Sequence, residues 1–178
     1  MKCSRYPLFF IGFILHLSLI AWSTRDCWRC VTPQFLKLSS RCGVTELPMD
    51  VHKSLDIYMI QAQMEVESHG DWGAVSREGC RGSMQVHPET AKAYSIPTWT
   101  LDHPVLSLDA GITIMSKLWT RFNNVSMPER WELCLASYNA GYSRTIKSYL
   151  TLGKRWQRGI PGETRSYIHK VMRRYYGK

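Results

Sequence analysis

Past its first 23 residues the chain lacks any apolar run approaching the roughly 20 residues that a membrane-spanning helix needs, so no bilayer crossing is expected there. It has no internal repeat and no low-complexity tract, which excludes a solenoid or a linker-like protein. Its Cys-x-x-Cys, Cys27-Trp28-Arg29-Cys30, is followed by no His and has no second copy. Neither haem attachment nor a zinc site of that type is therefore indicated. Acidic residues are scarce at one end: from Arg144 to Lys178 the single acid, Glu163, stands against ten Lys or Arg. That segment alone accounts for the formal net charge of +9. A basic end can attract nucleic acid, but in an exported chain the accessible polyanions are wall polymers and membrane head groups, so no nucleic-acid partner is expected. A solvated basic helix face explains the charge equally well.

What is present begins with an export signal. Lys2 and Arg5 precede an apolar run from Leu8 to Ile20, and Ala21-Trp22-Ser23 offers small residues at the two positions that a signal peptidase reads. We expect residues 1–23 to be a cleaved signal peptide and the protein to be periplasmic or otherwise exported, with no stable membrane span afterwards. Cys27 is not preceded by the small apolar residues of a lipoprotein site, so no lipid anchor is indicated. Cys27, Cys30, Cys42, Cys80 and Cys134 remain, an odd number in an oxidising compartment. They read as structural cross-links, with at least one thiol unpaired or intermolecular. The remaining length suits one domain with one core.

Residues 24–48 show three cysteines and no sustained period, and read as an irregular arm; residues 49–178 read as the folded domain. Val51, Leu55, Tyr58, Met59, Ala62 and Val66 recur at three- and four-residue steps and predict an amphipathic helix ending near Glu67. From Asp71 to Gln85 the glycines Gly73, Gly79 and Gly82 interrupt any stripe, predicting a loop with a short hairpin, followed by a brief helix opened by Pro88. Leu108, Ile112, Met115, Trp119 and Phe122 mark another helix. Ser126 and Glu129 have capping-box spacing for a third, which carries Trp131, Cys134, Leu135 and Tyr138 on one face and stops at Gly141. A last helix, from about Glu163 to Tyr176, should turn Ile168, Val171, Met172 and Tyr175 inward. The expected class is mainly α.

Three motifs carry chemistry. The first is Glu67-Ser68, then Ala74-x-Ser76, then Gly79-x-x-Gly82-x-Met84-Gln85-Val86-x-Pro88-x-Thr90-Ala91. The second is Ser137-Tyr138-Asn139-Ala140-Gly141, and the third Ile160-Pro161-x-Glu163-Thr164-Arg165-x-Tyr167. In this order they resemble the soluble lytic transglycosylase family, over roughly Leu55 to Tyr176. Ser83 stands where that family usually has Leu, and His103-Pro104 and Ser107-Leu108 replace its Asp-Pro and Asn-Ile pairs.

Breaking a glycosidic bond needs a proton on the leaving oxygen, hence a carboxyl still protonated near neutral pH. Glu67, at the negative end of an apolar helix, is placed to be that acid. The resemblance implies a lysozyme-like domain, peptidoglycan glycan strands as substrate, and Glu67 as sole acid/base catalyst, with no metal or organic cofactor. By the same resemblance Tyr138 lies beside Glu67 and the reacting sugar, Ser76 and Gln85 bind substituents from the loop, and Glu163 and Tyr167 line neighbouring subsites. Met84 and Asn139 support the pocket. Asp71, Glu78 or Glu89 could instead supply a second carboxylate, making the protein a hydrolase like the goose-type lysozymes. A wall-binding scaffold that keeps the fold without catalysis is the alternative from another class. The compact size also suits local wall opening for an envelope-spanning secretion, pilus or conjugation complex.

Overall fold

The computed structural model describes residues 55–177. The expected signal peptide (1–23), the arm (24–48), Cys27, Cys30, Cys42 and Val51 lie outside the described residues. What is described is helical: α1 (Ile57–Ser68), α2 (Pro88–Ala93), α3 (Pro104–Arg121), α4 (Glu129–Ala140), α5 (Tyr142–Leu152) and α6 (Gly162–Tyr176). Short 3-10 segments cover Thr98–Asp102 and Gly153–Gly159. The mainly α class is thus as the periodicity predicts. Among the described residues no helix is long and apolar enough to cross a membrane.

α4 is the hub, packed against α3, α5 and α6. Its Leu133, Cys134, Leu135 and Ala136 are all completely buried although consecutive residues point in different directions. The middle of α4 therefore lies inside the core, while its first turn, with Glu129, Arg130 and Glu132, reaches the surface. α1 is similar: Met59, Ile60, Ala62, Gln63 and Met64 are buried, whereas Tyr58, placed inward by the stripe, is 54% exposed. The stripe missed because the buried face of α1 is centred near Gln63, and Tyr58 lies well round the helix from it.

The capping box does not form. Glu129 is the first helical residue of α4 and Pro128 its N-cap, with no side-chain cap bond, so Ser126 and Glu129 sit outside the N-cap and N3 positions that the box requires. Among the described residues Cys80 and Cys134 form no cross-link. Cys134 is a core residue, and burial pushes its thiol up to about 12 despite the nearby Arg130 guanidinium. It packs as a small apolar side chain.

α5 falls where the apolar pattern assigns nothing. Its buried residues are Thr145 and Ser148, while Leu150 is 76% exposed. The Ser148 hydroxyl donates to the Trp156 carbonyl, tying α5 to the 3-10 segment that follows.

The loop between α1 and α2 is held by two antiparallel bridges, Val75 with Arg81 and Arg81 with Val86, which is all that forms of the expected hairpin. Gly82 has φ +74° and an added Cβ there would lie 2.1 Å from Ser107 Oγ, so both backbone and space demand glycine. Met84, fully buried, packs on Gly111 of α3. A Cβ at Gly111 would come within 2.7 Å of Met84 Cβ, which cannot swing away as a side-chain tip can. Gly111→Ala should therefore destabilise the fold by about 1–3 kcal/mol. Urea denaturation measures this, and an unchanged midpoint would contradict the packing.

Candidate active site

Glu67 is the penultimate residue of α1. Its Oε1 accepts a 2.6 Å hydrogen bond from the Tyr167 hydroxyl of α6. Burial raises the Glu67 carboxyl from 4.5 to about 7, opposed by that bond, which favours the charged form. The neutral carboxyl is therefore accessible near neutral pH. No other carboxyl among the described residues acts on this titration. Asp109 of α3 is also pushed to about 7, by its own burial.

Both tyrosines of the motifs converge on this point. The Tyr138 hydroxyl, from α4, donates to the Met84 carbonyl at 2.9 Å. Burial first, and then the Glu67 charge, hold the Tyr138 and Tyr167 hydroxyls well above the ordinary phenol range, so both remain neutral donors. Asn139 Oδ1 accepts from the Thr164 hydroxyl at 2.8 Å, which fixes the end of α4 against the first turn of α6.

The loop residues are occupied differently. Ser76 Oγ accepts from the Cys80 amide at 3.1 Å and so braces its own turn. Gln85 Nε2 donates to the Gly82 carbonyl at 2.9 Å and the Ala74 carbonyl at 3.3 Å. Gln85 also sits at φ +49°, a left-handed conformation that costs a non-glycine residue on the order of 1 kcal/mol. These bonds over-determine it, and its Oε1 makes neither of them. Glu163 is exposed on the first turn of α6, one turn before Tyr167 on the same face.

Three contributors escaped the sequence reading as site residues. Ser68 Oγ donates to the Ser83 carbonyl at 2.9 Å, stapling the loop to the end of α1. Thr164 braces Asn139. Gln63, one turn before Glu67, is fully buried. Ser68 and Thr164 stand inside the quoted motifs and could have been found there. Gln63 interrupts an apolar stripe and carries no such signal.

The remaining acids of the loop and α2 are engaged locally or exposed. Asp71 Oδ1 accepts from the Gly73 amide at 2.9 Å. Glu89 is paired with Lys92 at 2.7 Å, which lowers its carboxyl pKa, and Glu78 is exposed. On the far side, an open groove of ≈ 1050 Å³ between α1 and α6 is lined by Lys170, Arg173 and Arg174, with Glu65 bonded to Arg174 at 3.4 Å. Three of the ten basic residues of the C-terminal end lie there.

Because the Glu67 carboxyl titrates near 7 when folded and near 4.5 otherwise, the fold prefers its neutral form. Its contribution is complete below pH 4.5 and is lost as pH rises through 7, a difference of about 3 kcal/mol. Glu67→Gln keeps the acceptor oxygen for Tyr167 and cannot ionise. It should stabilise the protein at pH 8 by up to about 3 kcal/mol while leaving stability at pH 4 nearly unchanged. Denaturation curves at the two pH values test this, and an equal effect at both would contradict the assignment.

The sequence profile of the Transglycosylase SLT domain matches residues 50–155. Two relatives are membrane-bound lytic murein transglycosylases. The D enzyme of Escherichia coli K12 is 30% identical over 117 residues, 60% of this chain and 25% of that protein. The F enzyme of Desulfosudis oleivorans is 38% identical over 88 residues, 49% of this chain and 19% of that protein. The chain thus spans about a quarter or less of the length of these relatives. The profile stops short of α6, so the contact between Tyr167 and Glu67 is an independent structural observation. With more than half of its length matched, and with the mainly α, lysozyme-like architecture described above, the chain belongs to the Transglycosylase SLT domain family.

Proposed function

We propose that this protein is a peptidoglycan lytic transglycosylase that cleaves the β-1,4 bond between N-acetylmuramic acid and N-acetylglucosamine, with Glu67 as its single acid/base catalyst. One observation carries the reading: a carboxyl poised near pH 7, hydrogen-bonded to a tyrosine, on whose titration no second carboxyl among the described residues acts. An acid for glycoside cleavage must be protonated yet willing to ionise, and a pKa near the working pH satisfies both demands.

In the first step the neutral Glu67 gives its proton to the leaving glycosidic oxygen. The substrate's own N-acetyl carbonyl attacks the anomeric carbon as that bond breaks. Glu67, now a carboxylate held by the Tyr167 hydroxyl, then takes the proton of the C6 hydroxyl. The C6 oxygen displaces the N-acetyl group and closes a 1,6-anhydro ring, so no water is consumed and Glu67 ends protonated as it began. Most glycoside hydrolases divide this work between two carboxylates. The local engagement of Asp71 and Glu89 and the exposure of Glu78 favour the single-carboxyl course.

Around this centre Tyr138, whose hydroxyl donates to the Met84 carbonyl, faces the acid and the N-acetyl group, Ser76 and Gln85 meet substituents from the loop, and Glu163 and Tyr167 line adjacent subsites. Met84 and Asn139 hold the frame. The named activity of the two relatives, exerted on murein, supports an envelope location, and the signal-like N-terminus agrees with export. Local wall opening for a secretion, pilus or conjugation complex is the cellular role we propose.

Purified sacculi incubated with the protein should release muropeptides with anhydro ends, one water lighter by mass than hydrolysed ones. Glu67→Gln should reduce release by roughly a hundredfold or more while binding to sacculi persists. Full-mass reducing ends would make the protein a hydrolase of the goose-type kind. Binding without release by the wild-type protein would make it a scaffold.

A further inference from the structure

Gln63 is completely buried on α1, and neither its Oε1 nor its Nε2 has a hydrogen-bond partner among the described residues. A buried primary amide left unpaired costs on the order of 1–3 kcal/mol, so its retention calls for an explanation. Its position supplies one. Gln63 lies four residues before Glu67, on the same face of the helix. α6, which carries Tyr167, packs against α1, and Gln63 favours the ionised form of the Tyr167 hydroxyl although no hydrogen bond joins the pair. Glu67 and Gln63 thus share the face of α1 near which α6 brings Tyr167, and of the three side chains only Tyr167 and Glu67 are joined by a hydrogen bond.

We propose that Gln63 is a positioning residue for the Glu67 carboxyl: its buried amide is a reserve donor that closes onto the Tyr167 oxygen when Glu67 gives up its proton. A hydroxyl has one proton and two lone pairs. A donor from Gln63 on the oxygen keeps the Tyr167 proton directed at Glu67 and strengthens that bond as negative charge arrives. While Glu67 is neutral there is less charge to support, and the amide stays disengaged. The inference deepens the acid role proposed for Glu67, but it concerns titration alone and can be read without turnover.

The other groups that face this pair are few. Tyr138 approaches from α4 with its hydroxyl committed to the Met84 carbonyl, and Cys80 and Tyr94 face Tyr138 in turn. Glu65, two residues from Glu67, is turned to Arg174 at 3.4 Å and His69 at 3.8 Å. None of these can replace an amide donor on the Tyr167 oxygen.

The test follows the Glu67 carboxyl by carbon-13 NMR in the full chain. Gln63→Met keeps the volume and removes the amide, and the Glu67 midpoint should move up by about half a pH unit or more. In a Tyr167→Phe background the same substitution should add no further shift, because the oxygen through which it acts is gone. An unmoved midpoint in a folded Gln63→Met protein, or an equal shift in the Phe background, overturns the proposal. Should the variant fail to fold, the wild-type protein still decides. The Gln63 side-chain amide signals should change with the Glu67 midpoint and stay flat in Glu67→Gln. Signals flat in the wild-type protein, or unchanged in their transition by Glu67→Gln, overturn it. Loss of the transglycosylase reading would show in product masses and would leave these titrations untouched.

Discussion

A carboxyl at the end of α1 is kept out of water by α6, and the contact between them, Tyr167 to Glu67, joins positions 100 residues apart in the chain. Left exposed, Glu67 would be an ordinary surface carboxylate, ionised and idle. Sealed without a donor, it would resist ionisation still more strongly. The hydroxyl sets the compromise, because burial raises the pKa and the bond restrains the rise. A second tyrosine of the same helix repeats the contact at the other end: Tyr175 donates to Asp56, the N-cap of α1, also at 2.6 Å. Two hydroxyls thus pin two antiparallel helices at opposite ends, with Tyr167 the more deeply buried of the two tyrosines.

The rest of the core serves that seam. α4 fills the interior and delivers Tyr138 from its last turns, while α3 presents a glycine where Met84 has to fit. The loop after α1 has little regular structure of its own and is fixed at its edges. Ser68 holds the Ser83 carbonyl, Tyr138 holds the Met84 carbonyl, and Gln85 doubles back onto Gly82 and Ala74. Arg81 is paired with Asp102 beyond it. A left-handed Gln85 can persist only in such a frame.

Against this structure the reading by periodicity did well where an element shows one apolar face and badly where it does not. α3 and α6 were legible, as were the stop of α4 at Gly141 and the opening of α2 at Pro88. α5 was invisible because its buried contacts are made by Thr145 and Ser148 while a leucine faces solvent. The capping box failed for a related reason. Its spacing is a local pattern, but the register at which a helix starts is decided by how the preceding chain enters the core, and α4 starts at Glu129 itself. Cys80 and Cys134 could be counted but not paired or declared free from their positions in the chain.

By itself the sequence determined the mainly α class and the loop with its required glycines, and it singled out Glu67 as the candidate acid, because these depend on local spacing and on three motifs in order. It could name Tyr138 and Tyr167 as companions without saying which of them touches the carboxyl. Only the tertiary structure decided that Tyr167 makes the bond, that Tyr138 braces the loop instead, and that a buried glutamine stands behind them. The acidity of Glu67 belongs to this second group. A pKa is set by the water removed and the donors brought near, and both come from segments far apart in the chain that meet only when it folds.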